Sequence, residues 1–303
     1  MKDRAQIRLL RDGRRLHLHD GPIDLIVEAF GTSAEIDAAY RAAAKRFATV
    51  LDELCSELSL LRQPARMGGP LATGIVARRM VAAVAPYGEW TFITPMAAVA
   101  GAVAEEILAV MTSAANFSRA YVNDGGDIAL HLAPGEHFVV GMVERPDRPS
   151  LFGTATLDST QPVRGMATSG WRGRSFSLGI ADAVTVLADR AAMADAAATI
   201  IANAVDLPGH ASVTRVPARD LAPDSDLGDR PVTQDVGELS GGEVAAALDA
   251  GAAVAQSLLC DGLLRAAALH LREATRIVGL VPEDPRQRLL PHETLQATFL
   301  QSL

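Results

Sequence analysis

The sequence predicts a mixed α/β fold of the α+β type, and three stretches carry this prediction. Residues 6–19 alternate polar and apolar side chains around a turn at Asp12, which is typical of a β-hairpin. Residues 119–132 have the pattern of a strand, a turn and a second strand. Ala183–Ala188 is a short apolar run rich in β-branched residues, and strong helix formers follow it at 190–205.

The first half of the chain is expected to contain three helices. Residues 33–60 carry apolar side chains at helical spacing, and Ser33 is the predicted cap of this helix. Residues 73–84 are a second helix. The third covers 95–111, because proline is favoured at the first helical position and Pro95 follows Thr94. The other elements predicted for this half are a strand or short helix at 22–30 and a strand at His137–Val143.

The second half is expected to contain a buried helix, a long loop and a further helical stretch. Asp189 stands where an N-cap is expected for the helix at 190–205. Residues 217–235 are rich in Pro, Asp and Gly and are predicted to be a surface loop. Residues 242–272 are predicted to be helical, with breaks near Gly251 and Asp261, and residues 274–280 to be a strand.

Composition and charge restrict the classes of function. The chain has 303 residues, 49% of them hydrophobic and 21% charged, and a net charge of −8 gives no support for a nucleic-acid partner. The N-terminus has no apolar stretch of the signal-peptide kind, and no uninterrupted apolar run reaches the roughly 18 residues of a membrane span. We therefore expect a cytoplasmic protein without a membrane partner. Residues 1–215 are expected to form a core on which residues 216–303 pack as an extension.

A polar stripe on the helix at 190–205 is the first candidate site. Asp195, Thr199 and Asn203 fall at i, i+4 and i+8 and therefore share one face of an otherwise apolar helix. A buried carboxylate needs a partner, and a carboxylate and a hydroxyl one turn apart are oxygen ligands of the kind that Mg²⁺ prefers. The alternative is a buried Asp195 that is paired with an arginine or caps another element, with Thr199 bonded back to its own helix.

Two small turns are the second candidate site. Residues 123–127, Asn-Asp-Gly-Gly-Asp, are suited to a plain hairpin turn and equally to close approach of a ligand to the backbone. Residues 168–170, Thr-Ser-Gly, form the other turn. Because both turns adjoin predicted strands and can present backbone amides to an anion, we expect them to face the same cleft.

Three segments, taken together, resemble a known family. They are TPMAAVAGAVAE from Thr94, VNDGGDI from Val122, and GMATSG from Gly165 with ADAAATIIAN from Ala194. In this combination the chain resembles an uncharacterised family related to ApbE, the FAD:protein FMN transferases. The resemblance extends over approximately residues 1–210.

The resemblance implies mainly antiparallel sheets covered by helices, with a ligand cleft between two halves. It implies that Asp195 and Thr199 are Mg²⁺ ligands, and that the cofactors are Mg²⁺ and FAD or another flavin. The expected partner is a small-molecule ligand, with homo-oligomer formation left open. By the same resemblance, the residues that line the flavin-nucleotide site are Asn123, Gly125, Gly126, Asp127, Thr168, Ser169 and Gly170.

The chain departs from the transferases just after the Thr-Ser-Gly turn. The transferases carry a histidine-bearing H-I-[LI]-D-P segment there, whereas this chain has no histidine between Thr168 and Asn203. Asp182 is the candidate base in its place, although it could equally be a cap or an ion-pair partner. His131 and His137 are the histidines nearest in sequence.

We therefore expect a protein that binds a flavin or a similar phosphorylated, heteroaromatic cofactor with Mg²⁺. Standard FMN transfer is not expected, because positioned general-base catalysis contributes typically about 10²–10⁴-fold and serine is a poor base near neutral pH. The alternatives are a cofactor-biosynthesis enzyme that acts on a non-flavin substrate and a non-catalytic flavin-binding or carrier protein.

Overall fold

A large antiparallel sheet forms the centre of the molecule in a computed structural model, which describes residues 4–66, 68, 69, 71–143 and 151–279. The strands are β1 (Gln6–Leu9), β2 (Leu16–Asp20), β3 (Ile23–Phe30), β4 (Arg119–Asp124), β5 (Asp127–Leu132), β6 (His137–Val143), β7 (Leu151–Asp158), β8 (Gly165–Ser169), β9 (Ala183–Ala188), β10 (Val213–Pro217), β11 (Pro231–Val236), β12 (Ala266–Leu271) and β13 (Ala274–Gly279). Nine of them pair in the order β1-β2-β3-β4-β5-β8-β9-β12-β13, while β6–β7 and β10–β11 are separate hairpins. The predicted α+β class is confirmed.

Helices fill the long connections of this sheet. They are α1 (Ser33–Ser56), α2 (Leu58–Leu61), α3 (Ile75–Val84), α4 (Val99–Ala114), α5 (Ala191–Ala204), α6 (Ala218–Leu221) and α7 (Gly241–Cys260). The helices α1, α4, α5 and α7 pack against the sheet, and α4 also packs against α5. Together with the inner face of the sheet they enclose the main hydrophobic core.

The strands of the large sheet stand in chain order and are all antiparallel, so their connections alternate between two edges. The helices and the separate hairpins belong to the connections at one edge. The connections at the opposite edge contain no helix or strand. We call this second edge the site edge, and its connections are residues 21–22, 125–126, 170–182 and 272–273.

The first turn of α5 lies unusually close to its neighbours. A Cβ on Gly165 of β8 would lie 2.2 Å from the backbone nitrogen of Ala191, and one on Gly101 of α4 would lie 2.4 Å from the carbonyl oxygen of the same residue. Only glycine allows this approach, because no side-chain carbon can be accommodated at such distances. The two glycines therefore set how deeply α5 sits between α4 and the sheet.

A second, smaller apolar cluster lies on the other face of the sheet. It joins Tyr121, Leu130 and Met166 of the large sheet to Leu157 of the β6–β7 hairpin, with Phe138 packed against them. The hairpin thus shields part of the outer face, which burial of apolar side chains favours.

The boundaries of α1 and α4 differ from those predicted. Thr32, and not Ser33, caps α1, in a capping box with Glu35. The helix ends at Ser56 and not at 60, and the carboxylate of Glu57 accepts hydrogen bonds of 2.7 Å from the backbone nitrogens of both Thr73 and Gly74. The chain from 95 to 98 is a 3₁₀ turn that leads into α4.

Asp189 does not cap α5, contrary to the prediction. Its two carboxylate oxygens each accept a 2.6 Å bond from the guanidinium of Arg265. The free backbone N–H of Ala192 at the start of α5 instead donates to the carboxylate of Glu105 on α4, at 2.9 Å. A side chain from a packed neighbour thus takes the part that a local cap would have.

The C-terminal third corrects two further predictions. The predicted helix at 242–272 ends at Cys260, and Ala266–Leu271 is the strand β12, paired with both β9 and β13. All six of its residues are buried, so its sequence lacks the alternation that marks a half-exposed strand. The predicted loop at 217–235 contains the short helix α6 and most of β11, which pairs with β10.

Two helices of this structure, Pro95–Ala114 and Gly241–Cys260, are long and apolar enough to cross a membrane by length and composition alone. The same composition is found in the core helices of globular folds. In the described residues both helices pack against the sheet or against other helices. Residues 281–303, including the proline-containing stretch of the sequence, lie outside the described residues.

Candidate functional site

Two carboxylates from distant parts of the chain converge behind the site edge. Asp127 is the first residue of β5, and its Oδ1 accepts a 3.2 Å hydrogen bond from the backbone nitrogen of Thr168 at the end of β8. Asp195 lies in α5, and its Oδ2 accepts a 3.0 Å bond from the backbone nitrogen of Gly101. Burial and the charge of Asp195 hold the pKa of Asp127 well above its ordinary value, so the two carboxylates are close enough to repel each other.

Asp124 adds a third acidic side chain to this group. It is the last residue of β4 and stands opposite Asp127 in the register of the sheet. Burial, followed by the charge of Asp127, raises the pKa of Asp124 to about 8. Burial, with the charge of Asp124, raises the pKa of Asp195 to about 7, although the Gly101 amide opposes this shift. We call Asp124, Asp127 and Asp195 the acidic cluster.

Among the described residues, Asp127 and Asp195 lack the positive partner that buried carboxylates usually have. Within the described residues, neither Asp127 nor Asp195 forms a salt bridge, and no cationic group lowers the pKa of either carboxyl. Backbone amides are their only hydrogen-bond donors in this part of the chain. The arginine-paired alternative therefore does not describe Asp195, but the capping alternative does, because Gly101 lies in the first turn of α4 and its backbone nitrogen donates to Asp195.

The polar stripe of α5 divides into two parts. Asp195 and Thr199 remain partly accessible on a helix that is otherwise largely buried. Thr199 makes no hydrogen bond to any described residue, so its hydroxyl is not bonded back to the helix. Asn203 has a different role, because its Oδ1 accepts bonds from the backbone nitrogen of Leu178 at 2.9 Å and from Ser177 Oγ at 3.2 Å. Only the first two residues of the stripe are free to meet a ligand.

The Asn-Asp-Gly-Gly-Asp turn lies at the site edge between β4 and β5. The side chain of Asn123 is buried, and its Oδ1 accepts a 2.8 Å bond from the backbone nitrogen of Gly126. Gly125 and Gly126 have φ values of 64° and 115°, which L side chains rarely adopt. The turn geometry by itself thus accounts for both glycines. Asp127, which directly follows them, is the member of the acidic cluster that the turn positions.

The predicted Thr-Ser-Gly turn is mostly strand: Thr168 and Ser169 are the last two residues of β8, and Gly170 follows them at the site edge. The backbone nitrogen of Thr168 holds Asp127, while its hydroxyl lies 3.0 Å from that of Thr185 on β9. Ser169 is partly accessible at the end of the strand. A Cβ on Gly170 would lie 2.5 Å from the carbonyl oxygen of Asp182, so packing requires this glycine. The structure therefore brings the two predicted turns together through the contact of Thr168 with Asp127.

Asp182, the candidate base, is fully engaged in other contacts. Its Oδ1 accepts bonds from Trp171 Nε1 at 3.2 Å and from Arg172 Nε at 2.7 Å, and its Oδ2 accepts one of 2.7 Å from the backbone nitrogen of Arg272. The side chain is also buried. This geometry favours the ion-pair interpretation over the catalytic one.

The histidines that were nearest in sequence are not nearest in space. His131 lies toward the far end of β5 from Asp127, roughly 13 Å away at the usual rise of a strand, and His137 belongs to the separate β6–β7 hairpin. His270 on β12 is nearer, since its carbonyl oxygen accepts a 3.0 Å bond from the backbone nitrogen of Asp182. His17 and His19 on β2 both face the carboxylate of Asp24.

The donor set suits a hard cation that keeps part of its own water shell. Within the described residues no group of three or more His, Cys, Asp or Glu side chains is arranged to hold a metal ion. Mg²⁺ is commonly bound through one or two carboxylates, with waters and ligand phosphates completing the octahedron. Asp127 and Asp195, with the unbonded hydroxyl of Thr199, fit that pattern, and a bound cation would compensate the buried negative charge.

Comparison with known proteins places the chain in a family. A family model described as "AbpE bacteria" matches residues 7–277. The chain belongs to this bacterial AbpE family. This finding supports the ApbE-related family that the motifs predict.

The AbpE-family chain is also similar to curated archaeal proteins. A UPF0280 protein of Methanopyrus kandleri is 41% identical over 129 residues, which is 42% of this chain and 48% of the relative. UPF0280 proteins of Methanococcoides burtonii and Methanocella arvoryzae are 39% and 36% identical, over 46% and 43% of this chain and 55% and 50% of their own lengths. The chain thus spans about half the length of the curated relatives that it matches.

Several residues of this AbpE-family site escape a reading of the sequence. Asp124 lies within the quoted motif, but only the register of β4 with β5 brings it beside Asp127. Gly101 also lies in a quoted motif, and its role as the donor to Asp195 follows from the packing of α4 on α5. Arg174, whose Nη1 would lie 3.7 Å from a Cβ on Gly125, had no signal at all, since it stands in a stretch of mixed small and polar residues.

Proposed function

We infer that this protein binds a flavin or a similar phosphorylated, heteroaromatic cofactor together with Mg²⁺ at the site edge. The observation that carries this proposal is the convergence of Asp127 and Asp195 without a cationic partner among the described residues. The two carboxylates come from two of the motifs that resemble the ApbE-related family, and in the transferases the corresponding segments serve the nucleotide and the metal. The family membership supports the same proposal.

In this proposal Asp127, Asp195 and Thr199 hold the Mg²⁺. When bound, the cation would neutralise negative charge on the phosphate groups of the cofactor. The residues of the chain then have separate tasks. Asp127 is held in place by the Thr168 amide and Asp195 by the Gly101 amide, so both carboxylates are oriented before the ligand arrives.

The proposal does not include standard FMN transfer to a partner protein. That reaction needs a group to accept the proton of the attacking hydroxyl, and Asp182 already accepts bonds from Trp171, Arg172 and the Arg272 backbone. A test incubates the protein with FAD, Mg²⁺ and a known flavinylation-target domain and looks for covalent FMN by mass spectrometry. We expect no adduct, and stoichiometric Mg²⁺-dependent labelling would overturn this part.

Binding itself is tested by calorimetric titration of the purified protein with FAD, in excess Mg²⁺ and in EDTA. We expect affinity to fall at least about tenfold in EDTA and in Asp195→Asn with Mg²⁺ present, because hydrogen bonds and contacts to charged groups contribute about 1.5–3 kcal/mol. The matched control is Asp249→Asn, which makes the same chemical change at an exposed carboxylate on α7.

Three outcomes of this titration would count against the proposal. If FAD does not bind in the presence of Mg²⁺, the proposed flavin ligand is wrong. Binding of a different phosphorylated cofactor would then favour an enzyme that acts on a non-flavin substrate. Equal affinity for FAD in Mg²⁺ and in EDTA would exclude a role of the metal in binding. Equal loss of affinity in Asp195→Asn and Asp249→Asn would contradict the assignment of Asp195 to the binding site.

A further inference from the structure

We propose that Arg174 binds a phosphate group of the ligand at the site edge. The proposal deepens the proposed function and rests on it, since it assigns a specificity-determining residue to the same site. The ligand class is a phosphate or pyrophosphate ester, such as a flavin nucleotide carries, or the free anion.

The connection that carries Arg174 is anchored firmly at its first end. Asp182 accepts hydrogen bonds from the side chains of Trp171 and Arg172, and the backbone nitrogen of Trp171 donates to the carbonyl oxygen of Ala181 at 3.0 Å. The guanidinium of Arg172 also stacks on the Trp171 ring, 4.1 Å from its centroid. Asp182 is in this view a positioning residue for the connection.

The other end of the connection is anchored to α5 and β11. Asn203 Oδ1 accepts a hydrogen bond from the backbone nitrogen of Leu178, and the hydroxyl of Thr233 donates one to the carbonyl oxygen of Gly179 at 2.8 Å. The backbone nitrogen of Thr233 in turn donates to the carbonyl oxygen of Ser177 at 2.9 Å. Fixed at both ends, the connection exposes its middle, which is Gly173, Arg174 and Ser175.

Arg174 projects from this exposed middle over the turn at 125–126. A Cβ on Gly125 would lie 3.7 Å from Nη1 of Arg174, so the guanidinium stands beside the backbone of that turn. Its positive charge acts on the buried carboxyl of Asp124 in the acidic cluster. Within the described residues, Arg174 donates no hydrogen bond and forms no salt bridge.

A guanidinium in this position matches a phosphate group better than other anions. Arginine presents a planar fork of N–H donors that binds phosphate oxygens two at a time. Mg²⁺ on one or two carboxylates takes its remaining ligands from water and from phosphate. A phosphate held by a cation at Asp127 and Asp195 would thus meet a second positive charge in Arg174, and it would give this arginine a hydrogen-bond partner that the described residues do not supply.

The alternative role for Arg174 is that of a plain counter-charge for Asp124. The two roles predict different results in calorimetric titrations with three probes in the presence of Mg²⁺: FAD, riboflavin and inorganic pyrophosphate. We expect Arg174→Gln to weaken the binding of FAD and of pyrophosphate about tenfold or more. The affinity for riboflavin should not change, because charge-assisted hydrogen bonds are lost only with the phosphate-bearing probes. Arg174→Lys should fall between, since lysine keeps the charge and loses the fork.

The matched control is Arg41→Gln, which removes an exposed arginine from α1. It should leave all three titrations unchanged. Equal effects of Arg174→Gln on FAD and riboflavin, or no effect on FAD and pyrophosphate, would overturn the assignment. So would a wild-type protein that binds neither phosphate-bearing probe.

The titrations also separate this inference from the proposed function. If wild-type protein binds Mg²⁺-pyrophosphate, Arg174→Gln weakens that binding, and FAD does not bind, then the proposed flavin ligand is wrong and the contact of Arg174 with phosphate stands. If FAD binds with Mg²⁺ and Arg174→Gln has no effect, the proposed function stands and Arg174 has only the counter-charge role.

Discussion

Two pairs of carboxylates, one on α4 and the other shared by β5 and α5, differ in what neutralises them. Glu105 and Glu106 on α4 bind Arg79 between them, and each binds one further arginine, Arg190 and Arg46 respectively. Asp127 and Asp195 have only backbone amides within the described residues. The first pair has its counter-charges within the protein, whereas the second has none among the described residues, and in our proposal a cation supplies them.

The difference predicts opposite responses to the loss of a charge. Removing one member of a satisfied ion-pair network leaves buried charges unpaired and destabilises the fold. Neutralising one member of a repelling pair relieves repulsion and costs ligand binding instead. Each of the following experiments tests one side of this comparison.

Glu106→Ala should have the largest effect on stability. The substitution removes the buried carboxylate that bridges the guanidinium groups of Arg46 and Arg79, so we expect the free energy of unfolding to fall by about 3–5 kcal/mol, measured by urea denaturation. Glu53→Ala is the matched control, because Glu53 is a more exposed partner of the same Arg46 and should cost less than about 1 kcal/mol. A larger loss in Glu53→Ala would contradict the structural role of Glu106.

Gly101→Ala should have the next largest effect and should disturb the positions of both pairs of carboxylates. The added Cβ would lie 2.4 Å from the carbonyl oxygen of Ala191 and force α4 away from α5. We expect a loss of about 1–3 kcal/mol by urea denaturation, as for other overpacked sites, and weaker Mg²⁺-dependent binding because Asp195 loses its amide donor.

Gly242→Ala is the control for that experiment. It makes the same substitution in helix α7, where a Cβ meets nothing within 4 Å. Alanine should there stabilise the helix by up to about 1 kcal/mol. If both variants behave alike, the close approach of α4 to α5 does not hold Asp195 in place.

The comparison of sequence with structure follows the same division. Local signals were sufficient for the hairpins around Asp12 and at 119–132, and for Ala183–Ala188, because turn residues and β-branched runs act over short distances. The spacing of Asp195 and Thr199 likewise marked the stripe of α5 from the sequence alone.

What the sequence did not reveal depends on contacts between distant segments. The strand β12 has no alternation because both of its faces are buried, and Asp189 turns to Arg265 where a local cap was expected. The acidic cluster exists only once the register of β4 with β5 and the depth of α5 are fixed. Arg174 reaches the cluster through a connection anchored at residues far along the chain.

The pH dependence of stability should distinguish the two pairs. The pKa values of Asp195 and Asp124 are raised to about 7 and about 8, so the folded protein holds these protons more tightly than the unfolded chain does. Stability without Mg²⁺ should therefore fall as pH rises from about 4 to about 8, by up to about 1.4 kcal/mol per pH unit for each group.

Asp195→Asn should flatten this slope, and Mg²⁺ should stabilise the wild-type protein more at pH 8 than at pH 6, because protons and the cation compete for the same oxygens. The measurement is thermal unfolding of both proteins across this range, with and without Mg²⁺. A slope that is identical in wild type and Asp195→Asn would contradict the raised pKa of Asp195.

Thr199→Val should have the smallest effect on stability and should still report on the site. The Thr199 hydroxyl makes no hydrogen bond to a described residue, so its replacement by a methyl group of similar shape leaves no buried partner unsatisfied. The free energy of unfolding should therefore stay within about 0.5 kcal/mol of wild type. If the hydroxyl is a ligand of Mg²⁺ or of its water shell, the same change should weaken Mg²⁺-dependent FAD binding by about two- to tenfold, the equivalent of one ordinary hydrogen bond. Thr199→Ser keeps the hydroxyl and should retain the affinity. Loss of affinity in both variants would point to packing around α5, and loss in neither would restrict the metal site to the two carboxylates.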